Sequence, residues 1–164
     1  MTRHRLLDAL VALSLALATA AAAHETPPTL DFRQAPSDTL PWGMLSKVGL
    51  QRSDGRFVPQ FLPPLRALQG RRITLYGYMT AQPGRRLQQR FLLSPRPLIC
   101  AECGSTGPQE IVEVLVDRRI ARTDRPLAVR GRLALLEDSP DGLLFRLEHA
   151  FTPPRDRTPP RVAR

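Results

Sequence analysis

Hydrophobic and polar positions alternate with a period of two over most of the second half of the chain. Ile73, Leu75, Gly77 and Met79 alternate with Thr74, Tyr76, Tyr78 and Thr80, as expected of a strand with one face in a core. Arg90 to Pro95 is a second short apolar run. Ile111 to Val116 is a third, with Val112, Val114 and Val116 on one face. Leu127 to Leu136 is a fourth, with Leu127, Val129, Gly131, Leu133 and Leu135 on one face. A fifth, Leu143 to Phe151, places Leu143, Phe145, Leu147, His149 and Phe151 together. Ser139-Pro140-Asp141-Gly142 joins the last two runs with hairpin-turn chemistry. Gly77 and Gly131 fall mid-strand, where a glycine marks a bulge or a sharp bend. Five strands with bent members and little helical pattern between them predict an all-β domain. A small five-stranded OB-like barrel over residues 71–152 fits best, with a flatter β-sandwich as the alternative.

The flanking segments read differently. From 24 to 70 the chain is proline-dense, with Pro27, Pro28, Pro36, Pro41, Pro59, Pro63 and Pro64 interrupting any long element. This predicts an irregular N-terminal segment packed on the core, with Leu40-Pro41-Trp42 and Phe57 to Leu62 as extended anchors. Leu65 to Gln69 fits one helical turn stopped by Gly70. Residues 153–164 are rich in proline and arginine and read as a disordered basic tail.

Residues 1–23 carry an early Arg3 and Arg5, an apolar stretch from Ala9 to Leu17 and a small-residue end at Ala21-Ala22-Ala23. This is the pattern of a secretory signal peptide cleaved after Ala23. Later residues offer no apolar run long enough to span a bilayer. Lys47 is the only lysine among 24 basic residues, an arginine bias that suggests a GC-rich bacterium and hence the periplasm as the compartment. That compartment permits disulfides.

Composition narrows the function classes. The 164-residue chain has a formal net charge of +9, falling to about +8 once the signal is removed. Two cysteines exclude a multi-disulfide scaffold and a four-thiolate zinc site within one chain. Aromatic residues make up 5% of the chain, too few for a stacking platform on single-stranded nucleic acid. The tyrosines Tyr76 and Tyr78 are the only aromatics that read as exposed on a strand. The pairs Arg71-Arg72, Arg85-Arg86 and Arg118-Arg119 read as solvated loops and strand ends, and an anionic membrane surface suits them better than nucleic acid. Phosphate loops, dinucleotide fingerprints, paired-histidine metal helices and nucleophile elbows are all missing from the sequence.

The run Leu75-Tyr76-Gly77-Tyr78-Met79, then Phe91-Leu92-Leu93-Ser94-Pro95, then Cys100 and Pro108-Gln109, then Val112 to Val116 resembles a family of uncharacterised exported bacterial domains of unknown function. Trp42 matches a tryptophan often found upstream in that family, and the match covers residues 40–136. The resemblance implies an exported, non-enzymatic domain, associated in some relatives with metal or export transport systems. The loop departs from the commoner pattern. Glu102 stands where a histidine is expected, Cys103 follows it, and glycines replace a run of prolines.

Cys100-Ala101-Glu102-Cys103 is the motif with the most chemical content. Two thiols at this spacing can close a disulfide ring, chelate a soft metal such as zinc or copper, or exchange thiols. Pro95 and Pro97 stiffen the entry to the loop, and Gly104 and Gly107 let its exit turn tightly. Redox catalysis is disfavoured by the position: the motif lies between strands instead of opening a helix, and Glu102 would raise the thiol pKa. His149 reads as a core or rim histidine on the apolar face of the last strand, or as a third ligand completing a thiolate-rich metal site with Cys100 and Cys103. His24 becomes the first residue after cleavage, where an α-amine and imidazole together can chelate copper; a frayed terminus is the plainer reading. Glu113, between Ile111 and Leu115, reads as an edge-strand charge or as the partner of an arginine across the sheet.

These features point to a periplasmic binding or accessory protein that supports a transport or envelope complex. Its loop binds a soft metal or is stapled by a disulfide. The enzyme alternative is a thiol-disulfide oxidoreductase with Cys100 attacking and Cys103 resolving. A third reading is a purely structural interaction module. No acid–base pair suggests a hydrolase.

Overall fold

The computed structural model describes residues 30–53, 55–98 and 106–154. Among these residues seven strands form: β1 (Val48–Ser53), β2 (Arg56–Phe61), β3 (Arg72–Thr80), β4 (Leu87–Ser94), β5 (Val112–Ala121), β6 (Leu127–Leu135) and β7 (Phe145–Phe151). Two single-turn helices, α1 (Trp42–Leu45) and α2 (Pro63–Arg66), and 3-10 turns at Phe32–Gln34 and Pro108–Glu110 complete the elements.

Strands β3 to β7 close into a barrel in the order β3-β4-β5-β7-β6, with β6 returning to β3. All neighbours are antiparallel except β5 and β7, which run parallel. This is an all-β, OB-like barrel, as the alternation predicted. The inward positions are those of the alternating runs: Leu75, Phe91, Leu93, Val112, Val114, Val129, Leu133, Phe145 and Leu147 are almost wholly buried. They fill the barrel with side chains, as barrels of this strand number require. Phe61, Leu45 and Leu65, from the segment before the barrel, join the same core, with the Phe61 and Phe145 rings 6.0 Å apart.

Both mid-strand glycines answer to close approach. A Cβ on Gly77 would lie 2.5 Å from the Ser94 carbonyl oxygen and 3.1 Å from Trp42 Cζ2. A Cβ on Gly131 would meet Ala150 Cβ at 3.0 Å and the Glu148 carbonyl at 3.1 Å. Gly131 sits where the β6–β7 register shifts, between Arg130 and Arg132. The Ser139–Gly142 turn forms as expected, with the Gly142 N–H donating to the Ser139 carbonyl at 3.0 Å.

β3 departs from simple alternation, because both of its faces are buried. The outward residues Tyr76 and Tyr78 are 5% and 7% exposed, so the expectation that these tyrosines lie open is corrected. The reason is the segment before the barrel. Leu30 and Ala35 pack in one cluster with these tyrosines, and Phe32 meets Tyr76 edge-on at 6.4 Å. Asp38, Thr74 and Arg130 form a polar cluster beside them, with Arg130 Nε donating to Thr74 Oγ1 at 3.0 Å. Thr39 bridges to Thr74, and the Leu40 N–H donates to the Thr74 carbonyl at 2.8 Å.

Within the proline-dense segment the structure adds a regular element. β1 and β2 pair as a two-stranded antiparallel hairpin, in register from Val48↔Phe61 to Ser53↔Arg56. Gly55 in its loop has φ +78°, the left-handed conformation of a two-residue hairpin turn. Among the described residues no helix is long and apolar enough to cross a membrane.

Candidate functional site

The β4–β5 connection, residues 95–111, carries the cysteine motif, and its described ends are fixed by polar contacts. Ser94, the last residue of β4, is fully buried and donates from Oγ to the Arg96 carbonyl at 2.6 Å. Arg96 reaches across the connection, with Nη2 2.6 Å from Glu110 Oε2. Glu110 closes the 3-10 turn Pro108–Glu110, whose cap Gly107 precedes it in extended conformation. Helix α1 packs on that turn. Its Trp42 is held in the core by an indole N–H bond of 2.8 Å to the Tyr76 carbonyl. Gly77, Trp42, Ser94 and the 3-10 turn thus form one packed base under the connection.

Cys100 and Cys103 lie outside the described residues, as does His24. The described flanks of the loop end at Leu98 and resume at Thr106.

His149 is not on the apolar face. It has φ 49°, in the left-handed region that few non-glycine residues enter. The β5–β7 register shifts between Val114 and Val116, at the same level of β7. This bulge reverses the alternation of β7. Phe145 and Leu147 point in, His149 points out, Ala150 is buried, and Phe151 is 41% exposed. The period-of-two reading failed here because a bulge adds a residue to the strand. The His149 ring meets Asp117, with Nδ1 3.1 Å from Oδ1 and both side chains largely exposed.

Glu113 is a partner for arginines across the sheet and not an edge-strand charge. β5 is an interior strand between β4 and β7. Glu113 is 1% exposed although it points away from the barrel interior. Its two carboxylate oxygens take Arg90 Nε from β4 and Arg146 Nε from β7, the latter at 2.5 Å. Arg90 also reaches Asp141 in the β6–β7 turn at 3.4 Å. A carboxylate held by two guanidiniums is a structural clamp across three strands. Its two arginines lie 23 and 33 residues away in sequence, and only a charge inside an apolar strand could have signalled it.

The arginine pairs Arg71-Arg72, Arg85-Arg86 and Arg118-Arg119 are all exposed. Gln88, which sequence reasoning passed over, is fully buried. Its amide ties the β3–β4 loop together, accepting from the Gln82 N–H at 2.8 Å and donating to the Arg85 carbonyl at 2.6 Å. Nothing in its polar neighbourhood distinguished it from Gln89.

Among the described residues, clefts open on the surface. One of ≈ 840 Å³ is flanked by Arg33 and Arg125 over Tyr76, and its described lining holds no carboxylate, histidine or thiol. Another, of ≈ 810 Å³, lies between the β1–β2 hairpin and the β6–β7 turn. Among the described residues no group of three or more histidines, cysteines or carboxylates is placed to hold a metal.

No family model matches the chain, and no curated protein matches it. The chain is similar to the crystal structure of a DUF3299 family protein from Pseudomonas aeruginosa PAO1, at 20% identity and a TM-score of 0.44, over 79% of this chain and 97% of that one.

Proposed function

We propose that the protein is an exported, periplasmic binding or accessory module in which Cys100 and Cys103 hold a soft metal ion, zinc or copper, in support of a transport or envelope system. The observation that supports this reading is the clamped base of the β4–β5 connection. Ser94, Arg96 and Glu110 fix both sides of the loop that carries the thiols. Trp42 and Gly77 pack beneath it. A rigid platform holding a short loop with two soft donors is what a metal or partner contact requires. Two thiolates suit a two-coordinate copper(I) or half of a zinc site.

His149 enters this reading as a third ligand. Asp117 engages Nδ1, the second-shell arrangement common among ligating histidines. Phe145 pairs with Val112, where the connection returns to the barrel, and His149 lies four residues further along β7, roughly 13 Å of strand, so the loop must fold back over β5 to meet it. The exposed arginine pairs suit contact with an anionic membrane surface in the same compartment.

The test is a count of free thiols and bound metal on protein purified from the periplasm. Two free thiols with one equivalent of zinc or copper, lost in Cys100→Ser and in Cys103→Ser, support the reading. An unchanged stoichiometry in His149→Ala removes the third ligand. A locked disulfide without metal makes the loop a stapled interaction module. A reversible reduction potential in the range of periplasmic oxidoreductases favours a thiol-disulfide oxidoreductase instead.

A further inference from the structure

The β1–β2 hairpin stands apart from the barrel sheet, and among the described residues no strand pairs with the outer edge of β1. Its register has a fixed parity. The Leu62 N–H donates to the Lys47 carbonyl at 3.2 Å, so Lys47, Gly49, Gln51 and Ser53 direct their backbone groups across the hairpin. The alternation of an antiparallel ladder then turns the N–H and C=O groups of Val48, Leu50 and Arg52 outward. On β2 the residue opposite Leu50 is Pro59. At that parity its ring nitrogen lies on the outer edge of β2 and denies it a central donor. The two edges are therefore unequal: β2 carries a proline guard, and β1 has no proline, lysine or bulge along Val48–Ser53.

The centre of that edge is apolar, with Arg52 as its one charged position. Leu50 is 47% exposed and lines the ≈ 810 Å³ groove together with Pro59, Pro108 and Leu143. The rim of this groove is acidic, with Glu137 and Asp138, in a chain of net charge +9.

We propose that β1 pairs antiparallel with β1 of a second copy of this chain about a two-fold axis at Leu50, joining the two hairpins into one four-stranded sheet. A single open edge per chain makes this assembly close at two copies, since the outer edges of the pair are the proline-guarded β2 strands. The register places Leu50 opposite Leu50 and Arg52 opposite Val48, so no like charges face each other across the seam. The antiparallel direction brings the cationic Arg52 of each copy toward the base of the other hairpin. The acidic rim residue Glu137 lines the same groove as Leu50 and is tied to Arg66 of α2 at 3.3 Å. Charge and backbone complementarity therefore favour a second copy at this edge.

Sedimentation equilibrium on the purified protein, with a reductant present so that Cys100 and Cys103 cannot crosslink copies, tests this. A monomer–dimer equilibrium is expected. Leu50→Pro, which removes one outward donor and leaves the β1–β2 bonds intact, should weaken it at least about tenfold. Leu50→Lys, which keeps the donor but sets two charges together at the axis, should do the same. Leu87→Ser removes an equally exposed leucine from β4 and should leave the equilibrium unchanged. Circular dichroism melts confirm that the variants fold. A wild-type monomer at all concentrations overturns the proposal, as does a dimer indifferent to both Leu50 variants. Hydrogen exchange separates the remaining occupant: Leu50 and Arg52 amides protected in a monomer mean that another segment of the chain covers the edge, which also overturns it.

Discussion

Arg146 donates from Nε to Glu113 Oε2 at 2.5 Å across the parallel β5–β7 pair, and the carboxylate it holds is 1% exposed on the outside of the barrel. A charged group buried on an outer face is stable only while its partners remain, because the desolvation penalty stays when the attraction is removed. Arg90 and Arg146 are themselves half-exposed to partly buried, so each can recover water more easily than Glu113 can. Removing one arginine is therefore milder than removing both.

The prediction is that Arg146→Ala destabilises the protein by about 2–3 kcal/mol in denaturant melts, since Glu113 keeps Arg90 alone. The combined Arg90→Met, Glu113→Leu, Arg146→Met variant should recover most of that loss, because an apolar cluster of similar volume carries no desolvation penalty. If the triple variant is as unstable as Arg146→Ala, the clamp contributes more than its buried charge explains.

Gly77→Ala should be far more damaging than an ordinary glycine substitution in a strand. The new Cβ meets the Ser94 carbonyl oxygen at 2.5 Å, and backbone cannot swing aside as a flexible side chain would. Displacing it also loosens the Trp42 indole bond to Tyr76. A loss of about 2–3 kcal/mol is expected from overpacking. Trp42 is the chain's single tryptophan, so its emission should shift to the red in the folded variant as the ring gains water. Unchanged emission together with wild-type stability would show that β3 and β4 can part without cost.

The barrel was legible because its inner positions obey one rule. Val112, Val114 and Val116, and Val129, Gly131 and Leu133, alternate without interruption, and Gly77 and Gly131 marked the two places where backbone comes close. The β1–β2 hairpin was less legible. Pro59 reads as a strand breaker, yet a proline fits an edge strand where its missing N–H faces outward. The outward face of Tyr76 and Tyr78 reads as solvent because alternation says which residues share a face and not what covers it. The cover, Leu30 and Phe32, is more than forty residues upstream. His149 leaves the apolar face at a bulge that a period-of-two count carries straight through. The cysteine motif was the clearest chemical signal in the sequence, and it falls outside the described residues.

Gln88→Ala should loosen the β3–β4 loop without disturbing the barrel. The amide side chain is fully buried and satisfies the Gln82 N–H and the Arg85 carbonyl, both left unpaired by the substitution. A cost of about 2–3 kcal/mol is expected from two stranded backbone groups. Amide exchange at Gln82 should accelerate while that of Val114 in the core does not. Equal acceleration at both sites would mean that the loop and the barrel open together.

His149 offers a direct test of the β7 bulge. A left-handed residue with a Cβ carries a conformational cost of about 1–2 kcal/mol, and the exposed contact to Asp117 returns little of it because surface pairs are weak. His149→Gly therefore removes the cost and loses only that contact, while gaining some freedom in the unfolded chain. The balance is stabilisation of up to about 1 kcal/mol. His149→Val keeps the Cβ, adds a branch that the left-handed region tolerates poorly, and should cost more than about 1 kcal/mol. The opposite order, with valine better than glycine, would mean that β7 runs through this position as an unbroken strand. In that case His149 would point into the barrel and Ala150 out, and the pairing of Gly131 with the bulge would be lost.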